Sequence, residues 1–278
     1  MLVSVACWIG QQAVHAACRL LRQPSPTPLV VLYYHGVQAQ LRPRFATQLD
    51  GLARRADIVG PDFKGPSASK RRLVAITFDD GLQSVCDNAL PELASRQMPC
   101  TIFVPASALG RHPDWEDERR GQPLDPVMPA QVIKTLAGPL VTIGAHSLSH
   151  PRLSRLPRDE ARREIVGAKA VLEELTGRQV TLFAFPYGDF DAETTRMCED
   201  AGFAHAFSII PEVVDPSRRG FLTGRVAVDP DDGALEFFLK STGAYAWVRT
   251  YTAIKARFAG RPGPEHARPA PDCARPGR

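Results

Sequence analysis

The sequence has little of what marks a polyelectrolyte, a redox protein or a membrane-spanning one. Charged residues make up 23% of the 278, and 34 Lys+Arg against 30 Asp+Glu leave a formal net charge of only +4. Much of that excess lies in the tail, where Lys255, Arg257, Arg261, Arg268, Arg275 and Arg278 meet only Glu265 and Asp272. A nucleic-acid reader needs a basic face on its folded part, so nucleic acid is not expected as a partner. Six cysteines (Cys7, Cys18, Cys86, Cys100, Cys198 and Cys273) are widely spread and none stands in a CxxC pair. This excludes a zinc knuckle or a dithiol motif and favours isolated thiols over a disulfide framework.

No Lys or Arg precedes Arg19, and Gln11, Gln12 and His15 interrupt the apolar stretch from Met1 to Ala17. A secretory signal wants a positive start, and a membrane-spanning helix wants about 20 apolar residues, so neither fits. Three readings stay open: a helix packed on the domain, a mis-assigned start codon, or an amphipathic segment over residues 1–22 with weak membrane association. The compartment is left undetermined. No internal repeat and no second core is visible.

What the chain does have is a regular alternation. Pro24, Pro26 and Pro28 lead into an apolar strand, Leu29 to Tyr34, and Phe45 to Ala56 follows with helical spacing. Pro61 to Arg72 is a polar connector. Leu73 to Phe78 is a continuous apolar run of the buried parallel-strand type. Helical text from Gln83 to Arg96 precedes strand Cys100 to Val104. A long charged loop, Ala106 to Pro129, carries His112 and Trp115, and loops of that length are more often functional than idle. Strand Val141 to Gly144, helix Pro157 to Thr176, strand Val180 to Phe185, helix Ala192 to Ala201 and strand Ala204 to Ile209 continue the rhythm. The pattern is α/β with a mostly parallel sheet, open or closed. The expected layout is an N-terminal segment and linker (1–28), a single domain (29–258) and a disordered Pro/Arg-rich tail (259–278).

Active residues of such folds gather where strands end. The first strand ends in His35-Gly36, the next in Asp79-Asp80-Gly81, another in His146-Ser147-Leu148-Ser149-His150, and a fourth in Pro186-Tyr187-Gly188. The chain has seven histidines, and three of them fall at these ends. Neighbouring Asp79 and Asp80 point in different directions and can serve different tasks. On a helical turn, the spacing of His146 and His150 puts both rings on one face. With Asp80 they form a two-histidine, one-carboxylate set with open positions. That set suits a divalent metal: zinc first, with cobalt, nickel, manganese or iron as alternatives.

The motifs ITFDDG, HSxxH and FxxPYG, in that order, resemble the NodB-like polysaccharide deacetylases (carbohydrate esterase family 4). The resemblance runs directly from about Leu73 to Gly188 and implies a distorted (β/α) barrel. It also implies removal of N-acetyl groups from polysaccharide chains. Carried over by position, Asp79 resembles the catalytic base, and Asp80, His146 and His150 the metal ligands. Pro186 and Tyr187 resemble the substrate-side loop whose tyrosine N–H meets the oxyanion. Two departures stand out. Where many members carry Arg before the PY element, this chain has Ala184, and Arg225 in TGRVAVD is the candidate replacement. The late strand with a catalytic-acid histidine is also missing, since His266 in the tail is the only histidine after His205. The first strand delivers His35 instead, which resembles the circularly permuted exopolysaccharide deacetylases and makes His35 the expected general acid. Asp229 or Asp231 is expected to orient it, and Trp115 to line the sugar groove. The leading expectation is a metal-dependent N-deacetylase of exopolysaccharide or cell-envelope glycan. The alternative is a non-catalytic glycan-binding relative, and a weaker third reading is a hydrolase of a small amide or lipid-linked sugar.

Overall fold

The computed structural model describes residues 1–10, 28–65, 71–115, 125–249 and 251. Expectations for the tail (259–278), for residues 11–22, and for His15, Cys18 and Cys273 fall outside the described residues. Nine strands form one sheet: β1 Leu29–Tyr34, β2 Ala56–Ile58, β3 Arg72–Phe78, β4 Cys100–Val104, β5 Val141–Ala145, β6 Leu182–Ala184, β7 His205–Ser208, β8 Leu222–Gly224 and β9 Val226–Ala227. Their order is β8-β7-β6-β5-β4-β3-β1-β9, with β2 added on β3, and every strand pairing is parallel. Besides the helical residues 2–10, the described residues form helices α1 Arg42–Arg55, α2 Leu90–Ser95, α3 Ala130–Leu136, α4 Arg158–Thr176, α5 Ala192–Asp200 and α6 Ala234–Ser241.

Strands β8 and β9 are one run of chain interrupted at Arg225 alone. Leu222 to Gly224 pair with β7, while Val226 and Ala227 pair with β1. A single segment thus joins the two ends of the sheet and closes it into a barrel, as the family resemblance implied. Strand residues alternate between two apolar cores. Leu29, Val31, Leu73, Ala75, Phe103, Leu182, Ala184 and Phe207 fill the barrel interior. Val30, Leu32, Val74, Ile76, Ile102 and Phe183 pack outward with Ile165, Ala168 and Leu172 of α4. Near-complete burial on both faces explains why these strands read as unbroken apolar runs.

Local differences from the expected pattern have local causes. The helix expected from Gln83 to Arg96 is present but carries a π-turn over Val85–Ala89, after helical Gln83 and Ser84 and before α2, and Pro91, which has no N–H to donate, sits at the start of α2. Ala56 does not close α1 but opens β2, which pairs with Arg72 to Val74. Gly177 stops α4 in a left-handed conformation at φ 65°.

Residues 2–10 are helical. Ser4 is buried and its Oγ accepts from Trp247 Nε1 at 3.0 Å, while Trp8 meets Phe238 of α6 edge-on at 5.6 Å. These described residues therefore lie against α6, with Met1, Leu2, Val3 and Ile9 facing outward. No described helix is long and apolar enough to cross a membrane. Cys7, Cys86, Cys100 and Cys198 are free thiols, as their spacing implied.

Candidate active site and metal centre

The ends of β1, β3, β5, β6 and β9 meet at one mouth of the barrel. At the end of β3 the chain turns sharply: Asp79 still donates its N–H to Tyr34 O at 2.9 Å, but Asp80 and Gly81 adopt φ of 65° and 59°. The turn separates two adjacent, buried carboxylates, and the protein treats them in opposite ways.

Asp79 is gripped by Arg225. Nη1 donates to Oδ1 at 2.6 Å and Nη2 to Oδ2 at 2.8 Å, a bidentate pair buried at both ends. The guanidinium is itself fixed by Thr77 Oγ1 at 3.2 Å and Ser208 O at 3.3 Å, and lies over the rings of Tyr33 and Phe103. It reaches this place because Arg225 is the break between β8 and β9. Burial pushes the Asp79 carboxyl up, but Arg225, then His146 and His35, outweigh it and hold it below its ordinary value.

Asp80 faces the histidines. His146 Nε2 lies 3.8 Å and His150 Nε2 3.2 Å from Asp80 Oδ1, and the three ligand atoms fall within 4.8 Å of one another. Burial raises the Asp80 carboxyl, but His150, His35 and His146 more than offset this, so it is ionised. His146 is pushed down to about 4, chiefly by burial, and its Nδ1–H donates to Ala184 O at 2.7 Å. That bond leaves Nε2 of His146 as a bare lone pair aimed at the carboxylate. Asp80 Oδ1 is buried and accepts no hydrogen bond. An ionised, orphaned oxygen beside imidazole lone pairs is unfavourable unless a cation lies between them, so these residues fit a divalent metal. Among the described residues this is the one such His/Asp group.

The two histidines are not on a helical turn, which corrects the reading drawn from their spacing. Residues 146–150 form a loop in which Ser147 and His150 have φ of 62° and 65°. The loop closes on itself through His150 N–H to Ser147 Oγ at 2.9 Å. Glu164 of α4 holds it from outside: Oε2 accepts from Leu148 N at 2.9 Å and Ser149 N at 2.8 Å, and Oε1 from Ser149 Oγ at 2.7 Å. Sequence reasoning missed Glu164. Its signal was an acid on the helix stripe formed by Ala161, Ile165 and Ala168, all buried.

The remaining expected residues surround this centre. His35 follows β1, partly buried, and lies near enough to Asp79 and Asp80 to count among the groups that lower both carboxyls. Continuing the β1/β9 register, in which Tyr33 pairs with Ala227, puts Asp229 across from His35. Asp231 is exposed and paired with Arg44 instead, so of the two acids expected to orient His35 it is the one turned away. Tyr187 has φ 57°, its ring meets His150 edge-on at 4.6 Å, and the Arg152 guanidinium lies over the Tyr187 ring at 4.2 Å. Gly188 must be glycine, since a Cβ there would fall 2.3 Å from Ile209 Cγ1. Trp115 does not stand with both faces open to a sugar, because one face is stacked on His150 at 4.3 Å. His112 is exposed on the same loop.

Comparison with known proteins gives one consistent neighbourhood. Residues 67–206 match the family model described as "Polysaccharide deacetylase". YxkH of Bacillus subtilis is 23% identical over 224 residues, which span 76% of this chain and 75% of that protein. The peptidoglycan-N-acetylglucosamine deacetylase PgdA of Listeria monocytogenes is 24% identical over 196 residues, 69% of this chain but 38% of PgdA. Among solved structures, IcaB from Ammonifex degensii superposes with a TM-score of 0.64 at 28% identity, covering 79% of this chain and 97% of its own.

Proposed function

Because the chain belongs to the polysaccharide deacetylase family, hydrolases that act on N-acetyl amide bonds, we propose that it is a metal-dependent N-deacetylase of an N-acetylated exopolysaccharide or cell-envelope glycan. The observation that carries this reading is the opposite treatment of two neighbouring acids. Asp79 is paired with Arg225 as an ionised carboxylate, while the orphaned Asp80 oxygen faces two imidazoles.

Asp80, His146 and His150 would hold the cation. When bound, a divalent ion supplies a water of lowered pKa and polarises the acetamide carbonyl. Asp79 takes the proton from the attacking water, as a carboxylate that Arg225 keeps ionised and fixed in orientation. The backbone N–H of Tyr187 faces the oxygen on which negative charge develops. An amine leaves poorly unless protonated, so His35 donates a proton to the nitrogen as the C–N bond breaks. Ala184, at the position where the family resemblance led arginine to be expected, contributes its carbonyl to His146, and Arg225 supplies that positive charge from between β8 and β9.

Acetate release from N-acetylglucosamine oligomers and a panel of acetylated glycans tests this. Release is expected, with loss on chelation and recovery on adding zinc or cobalt. Glycan binding with no acetate released at any metal concentration would instead identify a non-catalytic relative.

A further inference from the structure

The two histidines facing Asp80 are held by different means. The His146 ring is fixed by its Nδ1 bond to Ala184 O at 2.7 Å, the usual way a ligand imidazole is oriented. His150 has no such bond: its Nε2 faces Asp80, but its Nδ1 is buried and has no hydrogen-bond partner. The ring thus lacks the Nδ1 anchor that orients His146.

Aromatic surfaces enclose it instead. Trp115 lies flat on His150 with ring centroids 4.3 Å apart and planes 17° from parallel. Tyr187 and His146 meet it edge-on at 4.6 Å and 4.9 Å. Rotation about Cβ–Cγ would sweep the imidazole edge out of its plane and into the indole, so the stack blocks the movement that would turn Nε2 away from Asp80. Trp115 is not anchored by its own polar atom, because its Nε1 is buried and has no partner either. The stacked pair therefore fixes both rings together. An imidazole that donates its lone pair to a cation becomes electron-poor, and contact with an electron-rich indole face then strengthens.

We infer, on the strength of the metal site proposed above, that Trp115 is a positioning residue for metal binding. It holds the His150 ring in its ligating orientation and favours the metal-loaded form. The second face of the indole, not the one on His150, is what remains for substrate.

The test compares the full-length chain with W115A and W115L, which remove the aromatic face, and W115F, which keeps one. Each is stripped with chelator, and zinc and cobalt affinities are measured by competition, alongside the visible spectrum of the cobalt form. Loss of a group that orients a metal ligand costs about 10–100-fold in affinity. The two face-removing variants are expected at the lower end, about tenfold weaker, with an altered cobalt spectrum, and W115F is expected to recover most of the loss. Using both Ala and Leu separates the effect of the face from that of lost bulk. If W115A and W115L bind metal as tightly as the wild type and only KM for glycan rises, Trp115 is a substrate surface and the inference is overturned. If the wild type itself binds no metal, the metal site proposed above falls, and the inference falls with it.

Discussion

Arg225 and Asp79 stand 146 positions apart, yet the guanidinium meets both carboxylate oxygens, at 2.6 Å and 2.8 Å, in a fully buried fork. Such a pair is costly to form and far more costly to break from one side, because the survivor is left as a buried, unpaired charge.

Arg225→Ala is therefore expected to destabilise the fold by about 3–5 kcal/mol and to lower kcat by about 10²–10⁴-fold through misplacement of the base. Denaturant melts and acetate release check both. The double variant Arg225→Ala/Asp79→Asn should regain stability while staying inactive, since the uncompensated charge is gone. A single variant with normal turnover would remove Arg225 from the mechanism.

Metal retention should separate the two histidine roles. Asp80→Ala and His146→Ala are expected to lose bound metal together with activity. His35→Ala is expected to keep its metal content while kcat falls by about 10²–10⁴-fold. Metal analysis of each purified variant is the measurement, and a metal-free His35→Ala would contradict the role of proton donor.

Glu164 touches neither substrate nor metal, yet it holds two backbone N–H groups of the ligand loop. Glu164→Ala should weaken metal affinity about tenfold and cost about 1–3 kcal/mol for the donors left unpaired. Glu164→Gln, which keeps an acceptor oxygen, should be milder on both counts. Equal metal affinity in wild type and Glu164→Ala would show that the loop is set without it.

His205 opens β7 and is buried; burial, with Arg219 and Lys64 nearby, pushes its pKa down to about 4. The unfolded chain takes up this proton near pH 6.5, whereas the folded chain resists until about pH 4. The unfolded state thus binds more protons in that window, and stability falls as pH drops from 6.5 towards 4, by up to about 1.4 kcal/mol per unit for this group. Melting curves at stepwise pH should be less acid-sensitive in His205→Leu than in wild type. Parallel curves would exclude His205 as a source of the acid lability.

Most of the fold was legible locally. Runs such as Leu73 to Phe78 are apolar because both faces of the strand are covered, and the polar residues that end them mark the barrel mouth. His35, Asp79, Asp80, His146, His150 and Tyr187 were all found in this way. The HxxxH spacing misled because two residues four apart also come together on a loop with left-handed backbone at Ser147 and His150. Glu164 and the Trp115 stack were missed as partners because their contacts join separate elements.

The sequence alone determined the alternation of strands and helices and which chemical groups arrive at the strand ends, since both follow from apolar periodicity over a few residues. Tertiary structure decided which groups meet. Only when residues 222–227 pair with β7 on one side and β1 on the other does the barrel close, and only then does Arg225 enter it beside Asp79. Sheet closure is a long-range packing outcome, and no local spacing encodes the partner it brings into contact.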